Sequence, residues 1–447
     1  METVSSFTQS MHRDGRKKRD YGPQGDGSST LYRGIGMIPP SPSALPQFSG
    51  TAESADLLLL APLTTIHVGR AAIEYLSVNI LQFVLPSYEK HASYVSHVPC
   101  RWGQEVALDH AVGCVVAAFH ALHIRDNTQS LSKHKPLSLY TRALQFLQQA
   151  LKDPKRSLSA ETLCATELLC LFEYLTKDID KAWIQHARGA ARLIEHRGPR
   201  MFTTEFEKSL LIGQMGIITT EAFFDNKHCF LEQGAWMYAL RSSISPNEQF
   251  SDRSERVVSL YENMIFLPGL LKDCSTIIMS PDEHNGALHE ALVHKVDMRR
   301  RSLLSWYRKW GRGLPPPDDI ENERFSWTAD EISLWPEILV THQACMLMCN
   351  RILVALDRTR GHILEPESQE IATQIMTIRH APRTNIRAGS MMASLSVAQA
   401  VLATASDWDM DMAEVPLPLK YEAHKKRVLI SPEKLSFWTG LIGIQIR

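Results

Sequence analysis

Apolar residues return at three- and four-residue steps along most of the chain, the period of a helix with one buried face. Period-two alternation never lasts more than a few residues, so strands are not predicted. The clearest stretch, 137–204, reads as three consecutive helices with short connections. In the first, Leu139, Ala143, Phe146, Leu147, Ala150 and Leu151 share a face, and Asp153-Pro154 ends it. The second, 160–175, is apolar nearly all round, which predicts burial on every side. Ser159 is placed to cap it, and Glu161 lies in its first turn, where negative charge meets the helix dipole favourably. The third, about 180–196, carries a stripe of Trp183, Ala187, Ala190, Ala191 and Ile194. Small residues dominate that stripe and predict close approach of a neighbouring helix. Gly198 stands where a left-handed residue closes a helix, and Pro199 forbids continuation.

The same reading predicts helices over 66–85 and 105–124, the latter apolar on nearly every side, and a helix opening at Pro136. Further helices are predicted over 206–224, 236–243, 252–271 (with Pro268 near its end), 284–310, 333–357, 367–378 and 389–407. Residues 435–446 read as one last helix or strand. The predicted fold is all-α, an irregular multi-helix array without a repeat of fixed period. Residues 1–53, rich in Gly, Ser and Pro, read as a disordered arm, 54–409 as one large helical domain, and 410–447 as a C-terminal tail.

Composition narrows the function classes. A formal net charge of −1 provides no global field toward nucleic acid or membrane, so any such contact must be local. The compact basic run Arg16, Lys17, Lys18 and Arg19 in the arm is a nuclear-import candidate, against the plainer reading of a solvated charge cluster. Eight cysteines are scattered, most of them inside apolar runs; this predicts no disulfide framework and a reducing compartment. The polar start METVSSFTQS lacks a signal-peptide core. Apolar runs such as 111–119 fall short of the roughly 18–20 residues a membrane span needs. A soluble intracellular protein without membrane contact is expected.

Candidate chemistry is sparse. His289 and His294 stand five apart, which separates them by roughly 140° around a helix, so they do not converge on one metal. His120 and His123, three apart in an apolar run, lack acidic or cysteine partners at ligand spacing. His342, Cys345 and Cys349 share a helix but read as core. Arg299, Arg300, Arg301, Arg308 and Lys309 interleave with Trp306, Tyr307 and Trp310. That face is either a contact for nucleic acid or an acidic partner, or a solvated side whose aromatics turn inward. No phosphate-binding glycine loop, nucleophile elbow or carboxylate pair is present. Neither catalytic residues nor metal ligands are assigned, and no cofactor is expected.

The runs ALQFLQQALKDP, SAETLCATELLCLFEYL and AWIQHARGAARLIEHRGP resemble the fungal-specific transcription factor domain, the regulatory region downstream of the binuclear zinc-cluster motif in many fungal regulators. The resemblance is carried by Trp183, His186, Gly189, Ala190, Leu193, Ile194, Arg197, Gly198 and Pro199, and extends over about 70–310 and more loosely to about 405. It implies an all-helical regulatory domain and no enzyme. The family's DNA-binding module holds two zinc ions with six cysteines, whereas the first cysteine here is Cys100 and no C-x-x-C-x6-C run occurs. Either the protein naturally lacks that module or an upstream exon is missing from the gene model. Direct sequence-specific DNA contact is therefore not expected from this chain.

What the resemblance implies is a nuclear transcriptional regulator, in a role specific to a secondary-metabolite pathway. Its partners would be other regulators or a second copy of itself, with a small-molecule effector as a further ligand. The alternative, from a different class, is a cytosolic accessory protein or biosynthetic enzyme that reuses the helical scaffold.

Overall fold

The computed structural model describes residues 93–123, 134–176, 182–246, 251–280, 286–311, 329–380, 391–408, 429–444 and 446. All belong to the unit Tyr75–Arg447. The predicted arm with Arg16, Lys17, Lys18 and Arg19, the predicted helix 66–85, and both ends of the predicted helical domain lie outside them. Among the described residues every regular element is helical.

The first group of helices comprises α1 (Val106–His123), α2 (His134–Lys152), α3 (Ala160–Thr176) and α4 (Ala182–Arg197). α3 lies at its centre, packed on α1, α2 and α4. Ser159 caps α3 as its position predicts, its Oγ accepting from the Thr162 N–H at 3.0 Å. The small-residue stripe of α4 is buried at Ala187, Ala190, Ala191 and Ile194. On α1, by contrast, burial is incomplete, because Val106 is exposed.

Residues 206–224 do not form one helix. They divide into α5 (Glu205–Gly213) and α6 (Met215–Phe224), with Gln214 turned between them at φ −97°, ψ −3°. Gly213 marks the break: a Cβ there would lie 2.9 Å from the Tyr94 ring, so only glycine lets that ring approach. Residues 252–271 divide as well. After α7 (Gly234–Ser242) come α8 (Glu255–Met264) and α9 (Leu267–Met279). Pro268 sits in the first turn of α9, where its missing N–H is not needed, rather than near the end of a longer helix.

The second group is built on α11 (Ala329–Leu356), which packs against α10 (Gly286–Trp310), α12 (Gly361–His380) and α13 (Met391–Ala403). The contacts of α6 with α9, and of α9 with α11, join the two groups. Within α11, Pro336–Leu356 is long and apolar enough to cross a membrane, which corrects the sequence estimate of run length. Its window is 94% buried among neighbouring helices, so it is read as a core helix.

One cation organises this second core. Arg351 is fully buried on α11; it donates to Glu365 Oε1 at 2.7 Å, Thr404 Oγ1 at 3.1 Å and the Val401 carbonyl at 3.0 Å. Its guanidinium lies 4.4 Å from the centroid of the Trp408 ring. Burial lowers its pKa to about 10, with Glu365 opposing, so it stays charged. Thr404 also donates back to the Ala400 carbonyl, and the helix predicted over 389–407 breaks there into α13 and α14 (Ala405–Trp408). Residues 432–441 form α15 (Pro432–Leu441), which resolves the choice between helix and strand. Its Leu435 and Trp438 are buried, and Trp438 meets Trp408 edge-on.

Candidate functional site

The residues that carry the family resemblance lie along α4, from its packing on α3 to the turn that leads into α5. His186 and Glu173 face each other across the α3–α4 contact, Nε2 to Oε1 at 2.9 Å. Tyr140 of α2 completes the group: its hydroxyl donates to Glu173 and lies 3.0 Å from His186 Nε2. Since the tyrosine proton is given to Glu173, Nε2 of His186 must carry the proton it presents to both oxygens. All three side chains are buried. Burial, with the negative charge of Glu173, holds the Tyr140 hydroxyl far above its ordinary range, so it remains a neutral donor. The Tyr140 ring also stacks on Phe172 at 4.8 Å. Without access to solvent, the arrangement braces three helices and offers no substrate a way in.

Arg197 closes the other end of α4. Its side chain is buried, donates to the Leu158 carbonyl and to Glu207 Oε1 at 3.0 Å, and lies 5.4 Å from the Phe202 ring centroid. Glu207 is itself fixed by a capping box: it accepts from the Thr204 N–H at 3.0 Å while Thr204 Oγ1 accepts from the Glu207 N–H. Burial works to raise the Glu207 pKa, but the Thr204 and Thr203 donors and Arg197 prevail, and it falls below the ordinary value. Gly198 follows at φ 76°, ψ 157°. This is the extended positive-φ region used almost only by glycine, not the predicted left-handed helical one. Nothing lies within 4 Å of a Cβ placed there, so the backbone alone demands glycine. Pro199 then opens the 3-10 turn Pro199–Met201.

Gly189 and Ala190 are buried in the middle of the same helix. Trp183 belongs to α4, but its side chain lies outside the described residues, as do those of His120 and His123. The structure thus places His186, Ala190, Arg197, Gly198 and Pro199 along α4 and the turn that ends it: His186 meets Tyr140 and Glu173 near one end, and Arg197 meets Leu158 and Glu207 at the other. Tyr140 and Glu173 went unnoticed in the sequence. The available signal was a glutamate inside the otherwise apolar run of α3, which needs a partner once buried.

The other candidates resolve as core. His289 is buried with Nε2 2.9 Å from the Leu356 carbonyl, while His294 is exposed on another face of α10. His342 stacks on Trp306 and Tyr307 and bonds to the Leu303 carbonyl at 3.0 Å; burial lowers its pKa to about 4. Burial raises the Cys345 thiol well above its ordinary range, and Cys349 to about 12. Among the described residues, no three metal-ligating side chains converge. The basic face of α10 divides: Arg299 and Arg300 are half-buried with partners in the fold, while Arg301, Arg308 and Lys309 are exposed. Arg299 lies 3.9 Å from the Phe266 ring centroid, Arg300 pairs with Glu367 at 2.5 Å, and Lys309 pairs with Glu255 at 2.8 Å. Trp306 turns inward, but Tyr307 is exposed, so the inward-aromatic reading holds only in part.

Residues 79–406 match the model of the fungal specific transcription factor domain. The chain belongs to this family. The match contains α4 with the partners of His186 and Arg197, and both helix groups except α14's last residues and α15. The chain is also similar to an uncharacterized protein of Emericella nidulans, 27% identical over 230 residues. That alignment covers 48% of this chain and 48% of the other, so the chain spans about half the length of the curated relative it matches. No solved structure matches.

Proposed function

We propose that this protein is a fungal transcriptional regulator that acts through its helical domain as a protein-interaction and regulatory unit. The observation that carries the reading is the family match across 79–406. The buried polar residues along α4 support it from the side of chemistry: they are spent on holding helices together, and none is presented to a substrate. We read the protein as non-catalytic on that basis.

The proposal extends to nuclear location, with Arg16, Lys17, Lys18 and Arg19 as import signal. Partners are other transcription regulators or a second copy of the chain. On this proposal, DNA contact comes through such a partner. A pathway-specific role in secondary metabolism, with a small-molecule effector, is the finer form of the same proposal.

Imaging of a tagged full chain tests it, together with chromatin immunoprecipitation. Nuclear signal, lost when Arg16, Lys17, Lys18 and Arg19 become alanine, and enrichment at promoters are expected. A cytosolic protein whose distribution ignores those substitutions would contradict the nuclear reading.

A further inference from the structure

Glu167 lies on α3, two turns before Glu173, and is only 1% exposed. Neither of its carboxyl oxygens meets a hydrogen-bond donor among the described residues. Across from it is the break between α5 and α6. Gln214 occupies that break with its side chain beside the carboxyl, and Gln214 Oε1 is also buried without a donor. On the same side, a Cβ at Gly213 would lie 3.9 Å from Glu167 Oε2 and 2.9 Å from the Tyr94 ring. The carboxyl is therefore packed against the backbone of the break. Three buried acceptor oxygens share this joint, and among the described residues none of them meets a donor in hydrogen-bonding geometry.

The charged and titratable neighbours do not supply it. On α3 itself, Cys164 and Cys170 are thiols whose pKa burial raises well above the ordinary range. From α4, Arg197 acts on Glu167 at a distance: its terminal nitrogens are committed to Leu158 and Glu207, and its buried Nε makes no hydrogen bond to the carboxyl. From α5, Glu207 is taken by that same arginine. Tyr94, in the turn Ser93–His97, presents its ring to Gly213. A bare carboxylate buried in such a place is strongly disfavoured, and a group so placed neutralises instead.

We propose that Glu167 is held as a carboxylic acid whose O–H donates to Gln214 Oε1, making a proton-dependent clasp between α3 and the α5–α6 break, and that opening this joint releases the proton to solvent. The proton removes the buried charge and gives Gln214 Oε1 the donor it lacks. Gln214 is the hinge residue between two helices, so a rearrangement of α5 against α6 exposes the acid and lets it ionise. Any partner or effector that opens this joint is thereby coupled to proton release. The inference does not depend on the proposed regulatory role.

The electrostatics agree with the geometry. Burial drives Glu167 well above the ordinary carboxylate value of 4.5, with the Gln214 amide and the Arg197 charge opposing less strongly. The folded state then holds one proton more than the unfolded state from about that ordinary value up to the raised one. Stability falls as pH rises through this interval.

Infrared spectroscopy of the full chain at neutral pH tests the protonation directly. The wild type is expected to show a protonated-carboxyl stretch that Glu167→Gln removes. Gln214→Met leaves the acid in place without its acceptor, and should shift the same band. In thermal unfolding across about pH 5 to 8, Glu167→Gln should lose less Tm than wild type as pH rises. If the band is absent from the wild type, the proposal is overturned without need of any variant. Equal pH slopes in wild type and Glu167→Gln would overturn it too.

Discussion

His186 of α4 and Glu173 of α3 are 2.9 Å apart, with the Tyr140 hydroxyl touching both. A histidine at this point of the sequence pattern is thus explained by a partner on another helix. Removing one member leaves the others buried with unmet hydrogen bonds, which costs roughly 1–3 kcal/mol for each such group. His186→Ala and Glu173→Ala should each lower Tm in calorimetry. A double mutant should lose less than the sum of the two single losses, since the shared contact is lost only once. Strict additivity would show that the pair is not coupled.

Gly198 gives a sharper backbone test. Its extended positive-φ conformation costs on the order of 1–3 kcal/mol in a residue with a Cβ, and the open space around it excludes a steric cause from neighbours. Gly198→Ala should destabilise by that amount, measured by urea unfolding. Gly198→Asn should not recover the loss, because asparagine tolerates the left-handed helical region rather than this one. Full stability in the asparagine variant would place the residue in the left-handed helix region after all.

Gly189 is buried in the middle of α4. Gly189→Leu is expected to cost about 1–3 kcal/mol by overpacking. Wild-type thermal stability in this variant would overturn the packing account of α4 at this position.

His342 sets a pH dependence of opposite sign to that of Glu167. Its folded pKa of about 4 lies below the unfolded value of 6.5, so the unfolded chain binds the extra proton between them. The stability it contributes is fully present above the unfolded value and is lost as pH falls toward the folded one. Two to three pKa units correspond to roughly 3 kcal/mol. His342→Phe should flatten the acid side of the stability curve measured by denaturant titration, and an unchanged acid slope would contradict this.

The sequence carried the architecture well because helix periodicity and punctuation are local. Ser159, Asp153-Pro154 and Gly198-Pro199 marked ends that the structure keeps. It failed where the deciding contact is remote. Nothing near Gln214 in sequence reveals the Tyr94 ring that sits against Gly213, so α5 and α6 read as one helix. Pro268 was legible as punctuation but not as a beginning, because proline fits the first turn of a helix as well as the region past its end. The signature residues were visible as a pattern. Their purpose was not, since His186 needs Tyr140 and Glu173, and Arg197 needs Leu158 and Glu207, from four different segments. Arg301, Arg308 and Lys309 of α10 are surface, as the run suggested, but Arg300 is drawn to Glu367, which is too distant in the chain to be read from the sequence.

The central claim is that the helical domain regulates transcription and that the buried polar residues along α4 hold it together rather than doing chemistry. Tethering tests this most directly: the full chain is fused to a heterologous DNA-binding module and reporter output is measured beside the module alone. A change in reporter output of either sign is predicted, and it should be lost when His186→Ala destabilises the domain. Output equal to that of the bare module, from a fusion shown to be folded and nuclear, would contradict the claim.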